Sequence, residues 1–215
     1  MAWPPATLRA HVRSALPWLF SGAGAFPLAA LLHEMGHLLG VWAGGIRGGK
    51  LHYASVSFPN SAEFWKRVMT GDLTGASGLH PLTAGAMATA GGLLMTYVLV
   101  ALCSVLAMER RLQPLAIALG LISNTRFVFL TATLVVSLTA GRPVGETDEA
   151  KLAMVSGLPL WVVAMPGLLC LIGGTWVMVR SLSRGQRARP LLALTAGAVL
   201  SGVTYASVLG PWLLP

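Results

Sequence analysis

The sequence predicts an all-α polytopic membrane protein of about five transmembrane helices, with a short β-hairpin and amphipathic segment between the first two. Three observations predict it. The chain of 215 residues is 55% hydrophobic and only 10% charged, whereas soluble domains carry roughly 25% charged residues. Its mean hydropathy is +0.71. Five stretches, 15–43, 82–108, 113–140, 152–179 and 190–214, reach the ~20 apolar residues that a membrane helix needs. They divide the whole length, so 1–215 reads as a single membrane-embedded domain with a core over 15–155 and additional helices over 156–215.

The net charge of +8 does not point to nucleic acid. The basic residues are scattered through short loops, as at Arg47 and Lys50, Lys66 and Arg67, Arg110 and Arg111, and Arg187 and Arg189. That distribution suits anionic headgroups at the edges of a bilayer. The two cysteines, Cys103 and Cys170, fall in separate apolar spans. They imply neither a disulfide framework nor a cysteine-rich metal site.

The first span holds His33-Glu34-Met35-Gly36-His37, the H-E-x-x-H pattern. On a helix, residues four apart lie one turn apart on the same face. His33 and His37 can therefore offer two imidazoles to one metal ion, and Glu34 can reach water bound to that ion. This donor set suits a zinc hydrolase: two ligands, a general base and an open position. Three ionisable side chains inside an apolar segment are costly, which by default marks a functional site.

The interval 46–81 is the longest polar stretch. Lys50 to Phe58 is rich in β-formers and bounded by Gly and Pro-Asn, which reads as a strand or half of a hairpin. Asn60 and Glu63 have capping-box spacing. Phe64, Trp65, Val68 and Met69 then share one face opposite Lys66 and Arg67, as in a short amphipathic helix on a membrane surface. The second span opens with small residues, Ala84 to Gly92, which let helix backbones approach closely in lipid. The third span is interrupted near its middle by Asn124 and Arg126. A mid-membrane Arg rarely faces lipid. Pairing with a carboxylate, contact with substrate backbone, lining of a water-filled cleft and snorkelling to an interface are all open to Arg126, and it and Asn124 are candidates for substrate contact. The fourth span contains Pro166, a kink signal. The last has no charged residue and reads as packing.

Two histidines need a third protein ligand. His11 lies at the far end of the first span, while His52 and His80 remain open. Among the carboxylates Glu63, Asp72, Glu109, Glu146, Asp148 and Glu149, topology narrows the choice. The metal would lie toward the C-terminal end of the first span. The second span leaves that side and the third returns to it, which brings back the acidic cluster behind Gly141, Pro143 and Gly145. Asp148 is the preferred ligand and Glu146 the reserve. Thr147 and Asp148 both also suit a plain helix cap.

With these residues the chain resembles the site-2 protease family of intramembrane zinc metalloproteases. The resemblance rests on His33 to His37 within a membrane span, on Gly91-Gly92 in the next span, and on Asp148 after a Pro-containing loop. It covers roughly residues 28–155. It implies that His33, His37 and Asp148 bind one Zn2+, that Glu34 activates water, and that Lys50–Phe58 guides a transmembrane protein substrate. It also implies a multi-pass protein of a cell membrane, of the bacterial inner-membrane type. The family's Asn-x-x-Pro stretch before an Asp-Gly pair is missing, since Asp148 is followed by Glu149. That marks a divergent member. Two rival readings differ in class: a non-proteolytic relative that binds transmembrane helices, and a membrane metal transporter.

Overall fold

The computed structural model describes residues 5–141, 146–183 and 187–214, with side chains from residue 13 onward except 127 and 128. The His11 side chain, Pro143 and Gly145 lie outside the described residues.

Helix α1 runs from Pro5 to Ala43 through Pro17 and Pro27. Gly45 closes it in the left-handed conformation (φ 79°), and the Ile46 N–H donates back to the Val41 carbonyl at 3.1 Å. The Lys50–Phe58 stretch makes both arms of a hairpin. Strand β1 (Lys50–His52) pairs antiparallel with β2 (Ser55–Ser57), with Leu51 opposite Val56.

Helix α2 (Ser61–Thr70) begins where the sequence placed it, but not through a capping box. Asn60 sits at φ 58° and its side chain makes no cap bond. Glu63 instead accepts from Arg67 at 2.8 Å, one turn on. The apolar face of α2 docks on protein. Phe64 and Val68 are buried, with Phe64 against the Phe58 and His80 rings. A short α3 (Leu73–Ser77) follows, capped by Asp72.

Helix α4 covers Leu82–Leu106. The third apolar stretch is not one helix. It is α5 (Gln113–Ser123) and α6 (Arg126–Ala140), parted at Asn124-Thr125. There the Thr125 hydroxyl and N–H both turn back to the Ile122 carbonyl, at 2.7 and 3.0 Å. Such local bonds compete with the helical ladder. The fourth stretch is divided as well. Helix α7 (Asp148–Ser156) ends at Gly157 (φ 70°), and Pro159 precedes α8 (Leu160–Ser181). Last come α9 (Ala188–Thr204), a π-helical turn (Tyr205–Leu209) and α10 (Gly210–Leu213).

Among the described residues, four helical segments are long and apolar enough to cross a membrane: Arg13–Ala43, Leu82–Leu106, Leu160–Ser181 and Ala188–Leu213. The expected count of about five is thus corrected to four, with the third stretch made of two shorter helices.

Helix α1 is central, packed between α4 and α9. Its contact with α4 is backbone on backbone. A Cβ on Gly36 would stand 2.4 Å from the Gly91 carbonyl oxygen, and one on Gly91 would stand 2.1 Å from that of Gly36. Small residues permit such approach, and dispersion between the surfaces rewards it where lipid offers no hydrophobic driving force. This crossing places the H-E-x-x-H face of α1 against the start of α4.

Candidate metal centre

His33 and His37 project from successive turns of α1, and α4 answers with carbonyls one turn apart. The His37 Nδ1 donates to the Ala88 carbonyl at 2.8 Å, and the His33 Nδ1 to that of Gly92 at 3.0 Å. Thr96 Oγ1 lies 2.9 Å from the same His33 nitrogen. With the proton committed to Nδ1, each ring presents a bare Nε2 lone pair. Orientation of this kind is what the outer partners of metal-binding histidines provide. Gly92 also makes room, since a Cβ there would stand 2.4 Å from the His37 ring.

The third donor comes from α7. Thr147 caps that helix by accepting from the Ala150 N–H at 3.3 Å, so Asp148 is released from capping. Its Oδ2 lies 3.2 Å from the His33 Nε2 and 3.3 Å from the His37 Nε2. The two Nε2 atoms are 3.1 Å apart. These atoms form a nearly equilateral triangle of lone-pair donors. For ligands ~2.0–2.1 Å from a tetrahedral ion, ligand–ligand edges are about 3.3 Å. The triangle therefore fits one face of a zinc-sized coordination sphere. Without a cation or added protons, three lone pairs would converge on one point unfavourably.

Glu34 belongs to the same cluster; its carboxylate and the two imidazoles offer ligand atoms all within 4.8 Å of one another. A cavity of about 250 Å³ opens over it. Its walls include Val56 and Phe58 from the hairpin segment, Trp65 from α2, and Asp148 and Lys151 from α7.

Arg126 and Glu149 form a layer behind the ligands. The break before α6 puts Arg126 at that helix's first turn, with its Nη2 2.9 Å from the Asp148 Oδ2 and 3.4 Å from Glu149. Its Nη1 lies 2.9 Å from both ring nitrogens of His33. Glu149 is only 2% exposed. Burial pushes its pKa up, against the opposing pull of the Arg126 guanidinium. Burial also opposes ionisation of Asp148, but its close contacts with His33 and His37 and the charge of Arg126 outweigh it. They hold the Asp148 carboxyl well below the usual carboxylate range. The cluster thus sets three carboxylates, Glu34, Asp148 and Glu149, against one guanidinium. A single divalent cation would cancel that imbalance.

The other sequence candidates lie elsewhere. Asn124 donates to the Leu171 carbonyl at 3.1 Å and to the Thr175 hydroxyl, toward α8 and away from the cavity. His52 is 2.8 Å from the Ser57 hydroxyl, and His80 is 2.6 Å from the Pro59 carbonyl. Glu146 is exposed and outside the cavity wall. Sequence reasoning allowed Arg126 a carboxylate partner but did not single out Glu149 as one of the two it has. The available signal was the acid directly after Asp148, paired against one Arg in an apolar span.

No protein-family model, no curated protein and no solved structure matches the chain.

Proposed function

We propose that the protein is an intramembrane zinc metalloendopeptidase that cleaves membrane-protein substrates within or near the bilayer. The observation that carries this reading is the His33–His37–Asp148 triangle, with edges of 3.1–3.3 Å and Glu34 beside it. The residue types, the fixed tautomers and the edge lengths all fit one Zn2+. When bound, zinc lowers the pKa of a coordinated water toward ~7 and polarises a carbonyl.

The chain's own residues supply the rest. His33, His37 and Asp148 would hold the ion, and Arg126, 2.9 Å from the Asp148 Oδ2, keeps that carboxylate turned toward the rings. Glu34 accepts a proton from the attacking water and returns it to the leaving amine. The substrate must arrive extended, because a helix keeps its carbonyls in hydrogen bonds. Beside the cavity, β2 offers a backbone edge for such a chain.

A metal-free, non-cutting relative is the second reading. One observation favours it: Arg126 already gives Asp148 a cationic partner at 2.9 Å. Glu34→Gln separates the two. The peptidase reading expects the variant to keep its metal and lose processing of a co-expressed transmembrane substrate by at least ~100-fold, the usual scale for a lost acid–base group. Unaltered processing in that variant would defeat it.

A further inference from the structure

The last crossing reads in sequence as packing, yet it reaches the hairpin. Helix α9 lies along α1 so closely that a Cβ on Gly197 would stand 2.1 Å from the Leu19 carbonyl oxygen. From there the π-helical turn and α10 arrive at Tyr53, the first residue of the hairpin's turn. The Tyr205 hydroxyl donates to the Tyr53 carbonyl at 3.0 Å. The Tyr53 N–H donates to the Leu214 carbonyl at 3.2 Å. The two rings meet edge to face with centroids 6.1 Å apart, and Phe26 of α1 backs Tyr205 at 6.3 Å. Tyr205 is 5% exposed.

Both backbone polar groups of Tyr53 are thus bonded by the last helix rather than by the hairpin. A hairpin with three residues in each strand is marginal alone and takes its position from what holds it. The π-helical turn is the irregular element from which Tyr205 projects; such turns are rare and concentrate at functional sites.

We propose that Tyr205 is a positioning residue. Its hydroxyl and the π-helical turn clasp the hairpin at Tyr53 and fix the height of β2 over the His33–His37–Asp148 cavity. The grip on an extended peptide backbone therefore depends on the last helix. This rests on the peptidase reading, and goes beyond it by giving the C-terminal crossing a part in binding substrate.

Tyr205→Phe keeps the ring and removes the donor, and Gly210→Ala presses a Cβ to 2.6 Å from the Tyr53 ring. Two readouts on the full chain in detergent decide the matter. The first is hydrogen exchange of the 50–57 amides, which needs no activity. The second is inhibitor binding, with a peptidyl hydroxamate that needs both metal and strand compared with acetohydroxamate, which needs the metal alone. Both variants should exchange the hairpin amides about tenfold faster and bind the peptidyl hydroxamate about tenfold more weakly, as for one lost hydrogen bond. Acetohydroxamate binding should be unchanged. Unaltered exchange overturns the clasp. Faster exchange with unaltered peptidyl binding, or equal weakening of both hydroxamates, overturns the positioning role. If the wild type binds neither hydroxamate, the peptidase reading fails and takes the positioning role with it, while exchange still reports whether the clasp exists.

Discussion

His37 occupies the space that Gly92 leaves by having no side chain. Gly92→Ala would put a methyl 2.4 Å from the ring and turn its Nε2 off the shared point. Metal affinity should fall about 10–100-fold, as when outer partners of metal ligands are lost. Titration against a chromophoric chelator checks this, and wild-type affinity would contradict it. Acidification gives a second test at this scale. The Asp148 carboxyl is already ionised far below neutral pH, so it does not set the acid limit for metal retention. Protonation of the imidazoles does, because only a neutral ring can ligate. Bound metal should therefore be lost on acidification, and retention at pH 4 would count against histidine ligation. The H-E-x-x-H residues were legible because their spacing is local. Asp148 was legible from the order of the apolar stretches, and it does lie beside both rings, although the third stretch is two short helices rather than one crossing. The Arg126–Glu149 pair was not, since nothing local joins residues 23 apart across a helix break. Glu149→Gln should destabilise the fold by about 1–3 kcal/mol, because it removes the more buried of the two carboxylates paired with Arg126 and leaves Asp148 to pair with it alone. An unchanged melting temperature would contradict that.

At the scale of elements, the α1–α4 crossing sets the site. A Cβ on Gly40 would stand 2.1 Å from the Met87 carbonyl oxygen, whereas one on Gly24 meets nothing within 4 Å. Gly40→Ala should push the helices apart and lower both melting temperature and metal content. Gly24→Ala, on the same helix, should leave both as they are. Equal effects would show that helix propensity rather than close approach is responsible. Hydropathy found the long helices because burial in lipid needs only length and apolarity. It merged α7 with α8 and fused α5 with α6, because a sliding apolar average does not register a Gly at positive φ or a Thr hydroxyl returning to the backbone. The hairpin was legible only in part. Lys50–Phe58 has strand composition, but the place of its turn follows from its tie to Tyr205 and Leu214.

Across the whole molecule, large apolar side chains cover the exterior: Leu94, Val98, Leu102 and Val105 on α4, and Leu192, Val199, Leu200 and Val203 on α9, are all exposed. A soluble monomer rarely carries such continuous apolar surface. The protein should stay with membranes through an alkaline carbonate wash and leave them only in detergent; release by the wash would contradict a membrane-spanning fold. Within that exterior, His33, Glu34, His37, Arg126, Asp148 and Glu149 gather between the second half of α1 and the first turns of α6 and α7.

Metal content of the purified protein, measured by mass spectrometry with ligands replaced one at a time, bears most directly on whether that gathering holds an ion. About one zinc per chain is expected in the wild type, in Glu34→Gln and in Glu146→Ala, and close to none in His33→Ala, His37→Ala and Asp148→Ala. A wild type that carries no stoichiometric metal, or an Asp148→Ala variant that keeps it, would contradict the account.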